Sequence, residues 1–352
     1  MRITTSSSNA HFIREMNALK SQQNNLSRQI STGQKIHGSE DGAASVARAS
    51  AASTEKSKIQ AFANNINRAE TIGNLSLESL QLFKGISDSA SDLGLVNDGH
   101  SSPMDLLSKD ANIRQLINQG INSLNAKLGG DYLFAGANIS EIPFEAQRYT
   151  EFLEDAKGNY VDISGNPIAP GDPPVASVMR DTTGAIVFDA KGDPIPLPDN
   201  YIGEAYSVSY TGSVSRGDDV RFRVSENSQV DPFSRGSQNA GYGEVLNNMI
   251  ALRDAFLSED MNGISVRADA LENSRINVND GIVELAVKVN GIKTVEQINA
   301  GRFNQLESNI SELVDADLAE TIVEFNRMQT AYEATLSSGA RILNLSLLDY
   351  LR

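Results

Sequence analysis

Apolar residues recur every three or four positions along both ends of the chain and lose that rhythm in the middle. Near the N-terminus Ile13, Met16, Leu19, Gln23, Leu26 and Ile30 fall on one face of a helix. The stretch STGQKIHGSEDGAAS breaks the pattern with three glycines. Ser39 reads as the N-cap of the next helix, with Glu40 and Asp41 at its positive end. A second stripe runs through Ile59, Phe62, Ile66, Ala69, Gly73, Ser76, Leu80, Phe83, Ser87 and Ala90. This is a heptad pattern, and its small seam residues predict close helix approach. NDGHSSP closes that helix. A third helix, with Ile113, Leu116, Ile117, Gly120, Leu124 and Leu128, is expected to stop at Gly129-Gly130.

Past Gly241 the helical period returns. Val245, Met249, Leu252 and Phe256 form one stripe, and Ile264, Ala268, Leu271, Val278, Ile282, Leu285, Val289 and Ile292 form the next. The last runs through Leu318, Ile322, Phe325, Met328, Tyr332, Leu336, Gly339 and Ile342. Between these helical arms lie nine of the ten prolines, from Pro143 to Pro232, with Pro103 the tenth. Proline removes an amide donor and clashes with the preceding turn, so the middle reads as loops and short strands. AYSVSYTG and DDVRFRVSEN alternate as half-buried strands do. DAKGNYV with DISGNPI is echoed by DTTGAIV with DAKGDPI, each Asp-x-x-Gly a tight turn.

The fold class expected is α+β: a long helical bundle or coiled coil built from both chain ends, with a small antiparallel β domain inserted in the middle. The boundaries are an N-terminal segment 1–38, a helical rod 39–139, a β-rich outer domain 140–240, a returning helical rod 241–315 and a C-terminal segment 316–352. In GGDYLFAG, the residues Tyr132, Leu133 and Phe134 lead towards Pro143 and Phe144. Together they read as an apolar latch at the edge of the β domain rather than a ligand pocket.

Composition sharpens this picture. Aromatic residues make up 6% of the chain and tryptophan is absent, which suits narrow helical seams better than one thick core. There is no cysteine, so disulfides, thiolate metal sites and cysteine nucleophiles are excluded. His11, His37 and His100 are far apart and form no ligand pair on one helix face. The turn carboxylates Asp155, Asp162, Asp181, Asp189 and Asp193 lack the ligand density of a calcium loop, and no histidine accompanies them. No cofactor, no metal and no catalysis are expected. A net charge of −15 argues against nucleic acid and anionic membranes as partners. No run of about 18 apolar residues predicts a membrane span, and the N-terminus lacks the apolar stretch of a cleaved signal peptide. Residues 1–58 carry eight Lys and Arg against four Asp and Glu, while 312–352 carry three against seven. Opposite net charges favour association of the two ends.

The two ends also resemble the flagellin family of axial proteins of the bacterial flagellum. The matching stretches are LSRQISTGQKIHGSEDGAASVARA (26–49) and DLAETIVEFNRMQTAYEATLSSGARILNLSLLDYL (317–351), about a sixth of the chain. Within the family, junction-type members, which join hook to filament, begin Met-Arg-[Ile/Val]-[Ser/Thr] and carry Tyr-[Leu/Ile]-Phe-Ala-Gly before a Pro-Phe. This chain has MRIT and YLFAGANISEIPF. SEDGAAS is closer to filament flagellin, which stands as the alternative, and a binding or enzymatic module in the β insert is a further one. The resemblance implies an extracellular structural protein, exported through the flagellar type III apparatus with a chaperone. It implies a homo-oligomer in contact with a hook-associated protein and flagellin. It also implies an assembly interface of Ile13, Met16, Leu19, Leu26 and Ile30 on one side, with Phe325, Met328, Tyr332, Leu336, Ile342 and Leu345 on the other.

Overall fold

Why the helices begin and end where they do is visible in their caps. The structure, a computed structural model, describes residues 5–36, 42–95, 102–149, 153–154, 160–161, 178–183, 185–187, 195–198, 201–214 and 220–350. The side chains of 5–9, 103, 153–154, 160–161 and 342–350 lie outside this description, as do Ser39, Glu40 and Asp41. Helix α1 (Thr5–Thr32) ends on Gly33, whose φ of 70° is left-handed and whose amide donates to the Gln29 carbonyl. Helix α2 (Ala43–Leu95) is followed by α3 (Pro103–Leu124). Ser102 caps α3 in a full capping box with Asp105, and Pro103 occupies its first turn. The Ser102 hydrogen bonds hold the Asp105 carboxyl below its usual range. After the strands come α4 (Gly236–Leu257), α5 (Met261–Val314) and α6 (Leu318–Tyr350). The side chain of Asp317 accepts from the amides of Ala319 and Glu320, which starts α6.

The chain divides into two compact units. The terminal unit is 1–61 with 298–352, and the central unit is 62–297. In the terminal unit α1 packs antiparallel along α6. Where α1 ends, the Lys35 amide donates to the Val314 carbonyl (2.7 Å) and the Ala316 amide to the Gly33 carbonyl (2.9 Å). In the same unit Lys56 pairs with Glu307 at 2.9 Å and lies over the Phe303 ring.

The core of the central unit is the expected heptad seam. From Ile66 to Ala90 every α2 position of that stripe is buried. It faces the α5 stripe from Ile264 to Ile292, which is buried except for half-buried Ile282. The helices are antiparallel: moving along α2, Glu70 meets Lys293, Asp88 meets Arg275, and Ser91 meets Glu272. Small seam residues do bring the helices close, since a Cβ on Gly73 would lie 2.8 Å from Val289 and one on Gly94 2.8 Å from Ala268. Helix α4 sits in the middle of this core and buries residues on all sides, from Tyr242 to Phe256.

Among the described residues the strands are short and pair in twos. β1 (Lys127–Leu128) and β2 (Asp131–Tyr132) form a hairpin; β3 (Phe144–Arg148) and β6 (Ala205–Tyr210) form the longest pair. β4 (Leu153–Glu154) pairs with β5 (Tyr160–Val161), and β7 (Phe222–Arg223) with β8 (Gln229–Val230). All pairs are antiparallel, as expected. Phe144, Ala205 and Val208 share one apolar cluster with the helices, so the β3–β6 pair is built onto the helical core.

One expectation is corrected. Gly129 and Gly130 do not end the third helix, because α3 stops at Leu124 and Asn125 caps it. The glycines form the two-residue turn between β1 and β2. Their φ values of 61° and 103° are both left-handed, as a tight hairpin requires.

Candidate functional site

The α1–α6 pair has a seam but no closed core. Met16, Leu19, Gln23, Leu26 and Ile30 of α1 are all half-buried, as are Phe325, Met328 and Tyr332 of α6. Among the described residues of these two helices, only Thr321 and Gly339 are buried. The seam starts at Phe12 rather than Ile13. A Cβ on Gly339 would overlap the Phe12 ring, so the glycine is the hole into which this aromatic knob fits. Ile13, one residue on, is 57% exposed. Leu336 is 43% exposed, and Leu318 and Ile322 lie on the same side of α6, 46% and 45% exposed. The side chains of Ile342 and Leu345 lie outside the described residues. Two helices alone cover about one face each, and the apolar strip beside the seam stays in water.

The latch residues converge where α3, α4 and the β3–β6 pair meet. Tyr132, Leu133, Phe134, Pro143 and Phe144 are all buried. The Phe134 ring meets Tyr242 of α4 edge-on, with centroids 6.2 Å apart. The Phe134 carbonyl accepts from Asn239 (2.7 Å) and from the Tyr210 hydroxyl (3.1 Å). Phe144 packs against the Tyr210 ring at 5.2 Å. Burial raises the Tyr242 hydroxyl to about 12 and also raises that of Tyr210, where the Asn239 hydrogen bond works in the opposite sense. The backbone of Ser213 comes so close to α4 that a Cβ on Gly236 would collide with its carbonyl.

Two asparagines complete the junction, and the periodicity of the sequence did not single them out. Asn125 bonds both the amide (3.0 Å) and the carbonyl (2.9 Å) of Phe144 on the outer edge of β3. Asn247 of α4 does the same for Val208 on β6, both at 2.9 Å. A two-stranded ribbon has two open edges, and each asparagine amide satisfies one buried position on an edge as a third strand would. The only sequence signal was an asparagine at the end of one helical pattern and another inside the next.

The polar candidates take structural parts. One carboxylate oxygen of Asp181 accepts from the amides of Thr183 and Ala185, both at 2.9 Å, and from the Thr183 hydroxyl at 2.6 Å, which is turn chemistry. Asp155, Asp162, Asp189, Asp193, His37 and His100 lie outside the described residues. His11 is an exposed neighbour of Glu15 on α1. Among the described residues no three acidic or histidine side chains gather as a metal site, and no helix is long and apolar enough to cross a membrane.

No protein-family model matches the sequence, and no curated protein matches it. The fold, by contrast, is shared with solved structures. A chain described as a flagellar hook-associated protein from Vibrio parahaemolyticus superposes with a TM-score of 0.53 at 15% identity, over 78% of this chain and 100% of that one. FlgL of Bacillus cereus superposes with a TM-score of 0.50 at 14% identity, over 74% of this chain and 99% of that one. The flagellar junction protein FlgL from Legionella pneumophila aligns over 75% of this chain and 99% of that one at 13% identity, with a TM-score of 0.37.

Proposed function

We propose that this chain is a structural axial protein of the bacterial flagellum, of the type that joins hook to filament by self-assembly of its terminal helices. The observation that carries the proposal is the α1–α6 pair, whose seam residues are only half-buried while an apolar strip beside them faces water. A helix pair of this kind gains from further copies, because the same strip is buried by neighbours in an oligomer. Ile13 and Leu336 then face other subunits, and Met16, Leu19, Leu26, Ile30, Phe325, Met328 and Tyr332 hold the pair together. The proteins whose fold it shares carry hook-associated and FlgL names, which supports the same reading.

In this reading the partners are further copies of the chain, a neighbouring hook-associated protein and flagellin. The protein is exported through the flagellar type III apparatus, accompanied by a chaperone, and works outside the cell without catalysis or cofactor. The latch of Tyr132, Leu133, Phe134, Pro143 and Phe144 keeps the strands fixed to the helices during assembly. Deleting residues 1–35 or 320–352 leaves a folded, soluble central unit that does not join the flagellum. Unfolding of the whole chain by either deletion would overturn the proposal. A labelled copy forms a band at the hook-filament boundary, whereas label along the whole filament identifies a flagellin instead.

A further inference from the structure

A buried cluster of charged and aromatic side chains stands apart from both the terminal seam and the latch. Arg253 of α4 is completely buried. It pairs with Asp254 at 2.6 Å and donates to the Ala205 carbonyl at 2.6 Å. Its guanidinium lies 5.1 Å from the centre of the Tyr201 ring, and that of Arg114 lies 5.0 Å from the same ring. The Tyr201 hydroxyl donates to Asp110, whose other oxygen accepts from Arg114 at 3.1 Å. Asp110, Arg114 and Asn118 follow one another at four-residue spacing and so share a face of α3. Asn118 continues the row to Glu204 (3.1 Å) and Arg148 (3.1 Å).

The partners of this row form the neck where the chain leaves β3 and returns to β6. Across the neck the Tyr149 amide donates to the Glu204 carbonyl (3.0 Å) and the Gly203 amide to the Tyr149 carbonyl (2.7 Å). The Tyr149 hydroxyl bonds the backbone of Arg180, and the Ser207 hydroxyl donates to the Thr182 carbonyl. The bridged segment around Val178–Val187 is thereby tied to the same neck. Burial raises the Asp254 carboxyl to about 6 against the pull of Arg253, and raises Tyr149 to about 12.

We infer that the cluster of Arg253, Tyr201, Asp110 and Arg114 is a lock that fixes the neck of the insert on α3 and α4 and can open while the helical core stays folded. The physical basis is the contrast between the two attachments. The helices hold one another through continuous apolar seams. The neck is held by a polar network, and loss of one partner in such a network leaves the others buried and uncompensated. Arg253 is the central member because it touches the neck backbone, the Tyr201 face and Asp254 at once.

Hydrogen exchange of the full chain tests this. In Arg253→Met, amides in 178–187 and 201–204 exchange at least ten-fold faster than in the parent, while those of α2 from Ile66 to Ala90 are unchanged. Tyr201→Phe, which removes only the bond to Asp110, gives a smaller acceleration in the same two segments. Equal acceleration in α2 and in the neck would make the cluster ordinary core and overturn the inference. Should Arg253→Met fail to fold, Tyr201→Phe decides alone: selective acceleration of the two segments supports the lock, and unchanged exchange there sinks it.

Discussion

A methyl group on Gly281 of α5 would overlap the hydroxyl of Tyr242, with Leu80 of α2 close behind at 3.1 Å. Alanine favours a helix over glycine by about 1 kcal/mol, so propensity alone predicts that Gly281→Ala stabilises the protein. Overpacking of a full core costs about 1–3 kcal/mol and acts on three helices at once here. Gly281→Ala is therefore expected to lower the urea midpoint. Tyr242→Phe in the same background recovers part of the loss, because the colliding oxygen is gone. Strict additivity of the two changes would show that they do not meet. The same scale decides between Phe12 and Ile13. Both are apolar and adjacent in sequence, and either can begin a three-four stripe through Met16 and Leu19. Only the hole at Gly339 selects Phe12.

The β3–β6 ribbon is fastened to the helices at both edges by side-chain amides. Asn125 and Asn247 each satisfy an amide and a carbonyl on an outer edge of the β3–β6 ribbon. Truncating either to alanine strands those two groups, at a cost of about 1–3 kcal/mol. Denaturant unfolding of Asn125→Ala and Asn247→Ala measures it, and a change below about 0.5 kcal/mol in both would mean that water replaces the amides. The helices themselves were legible as stripes: Ile66 to Ala90 and Ile264 to Ile292 lie in the seam that their spacing predicts. The end of α3 was not, because Leu128 keeps helical spacing while belonging to a hairpin. Gly-Gly can close a helix or turn a hairpin, and the pairing of Lys127 with Tyr132 settles which.

For the central unit as a whole, buried tyrosines tie stability to alkaline pH. Tyr149 and Tyr242 are raised to about 12 by burial, and burial also raises Tyr201 and Tyr210. A raised native value means that the folded state holds the proton more tightly than the unfolded chain. The associated stability is complete below pH 10 and is lost as pH climbs through about 12. Titration followed by tyrosinate absorbance should show a steep step at about pH 12, from Tyr149 and Tyr242, that coincides with loss of helical circular dichroism. Ionisation of all nine tyrosines in one step near 10 would contradict the burial.

What the sequence determined by itself was everything that depends on local period: long helices at both ends, heptad seams with small residues, and a proline-bearing middle with short strands. It also grouped Tyr132, Leu133, Phe134, Pro143 and Phe144 as one expected latch, from the YLFAG motif and the Pro-Phe that follows it. The tertiary structure alone decided which residue of a neighbouring pair enters a seam, how the strand edges are satisfied, and where Arg253 finds its partners. The reason is physical. Periodicity records which face of an element is apolar, whereas a knob's hole, a strand's missing neighbour and a buried charge's counter-ion lie on other elements far away in the chain.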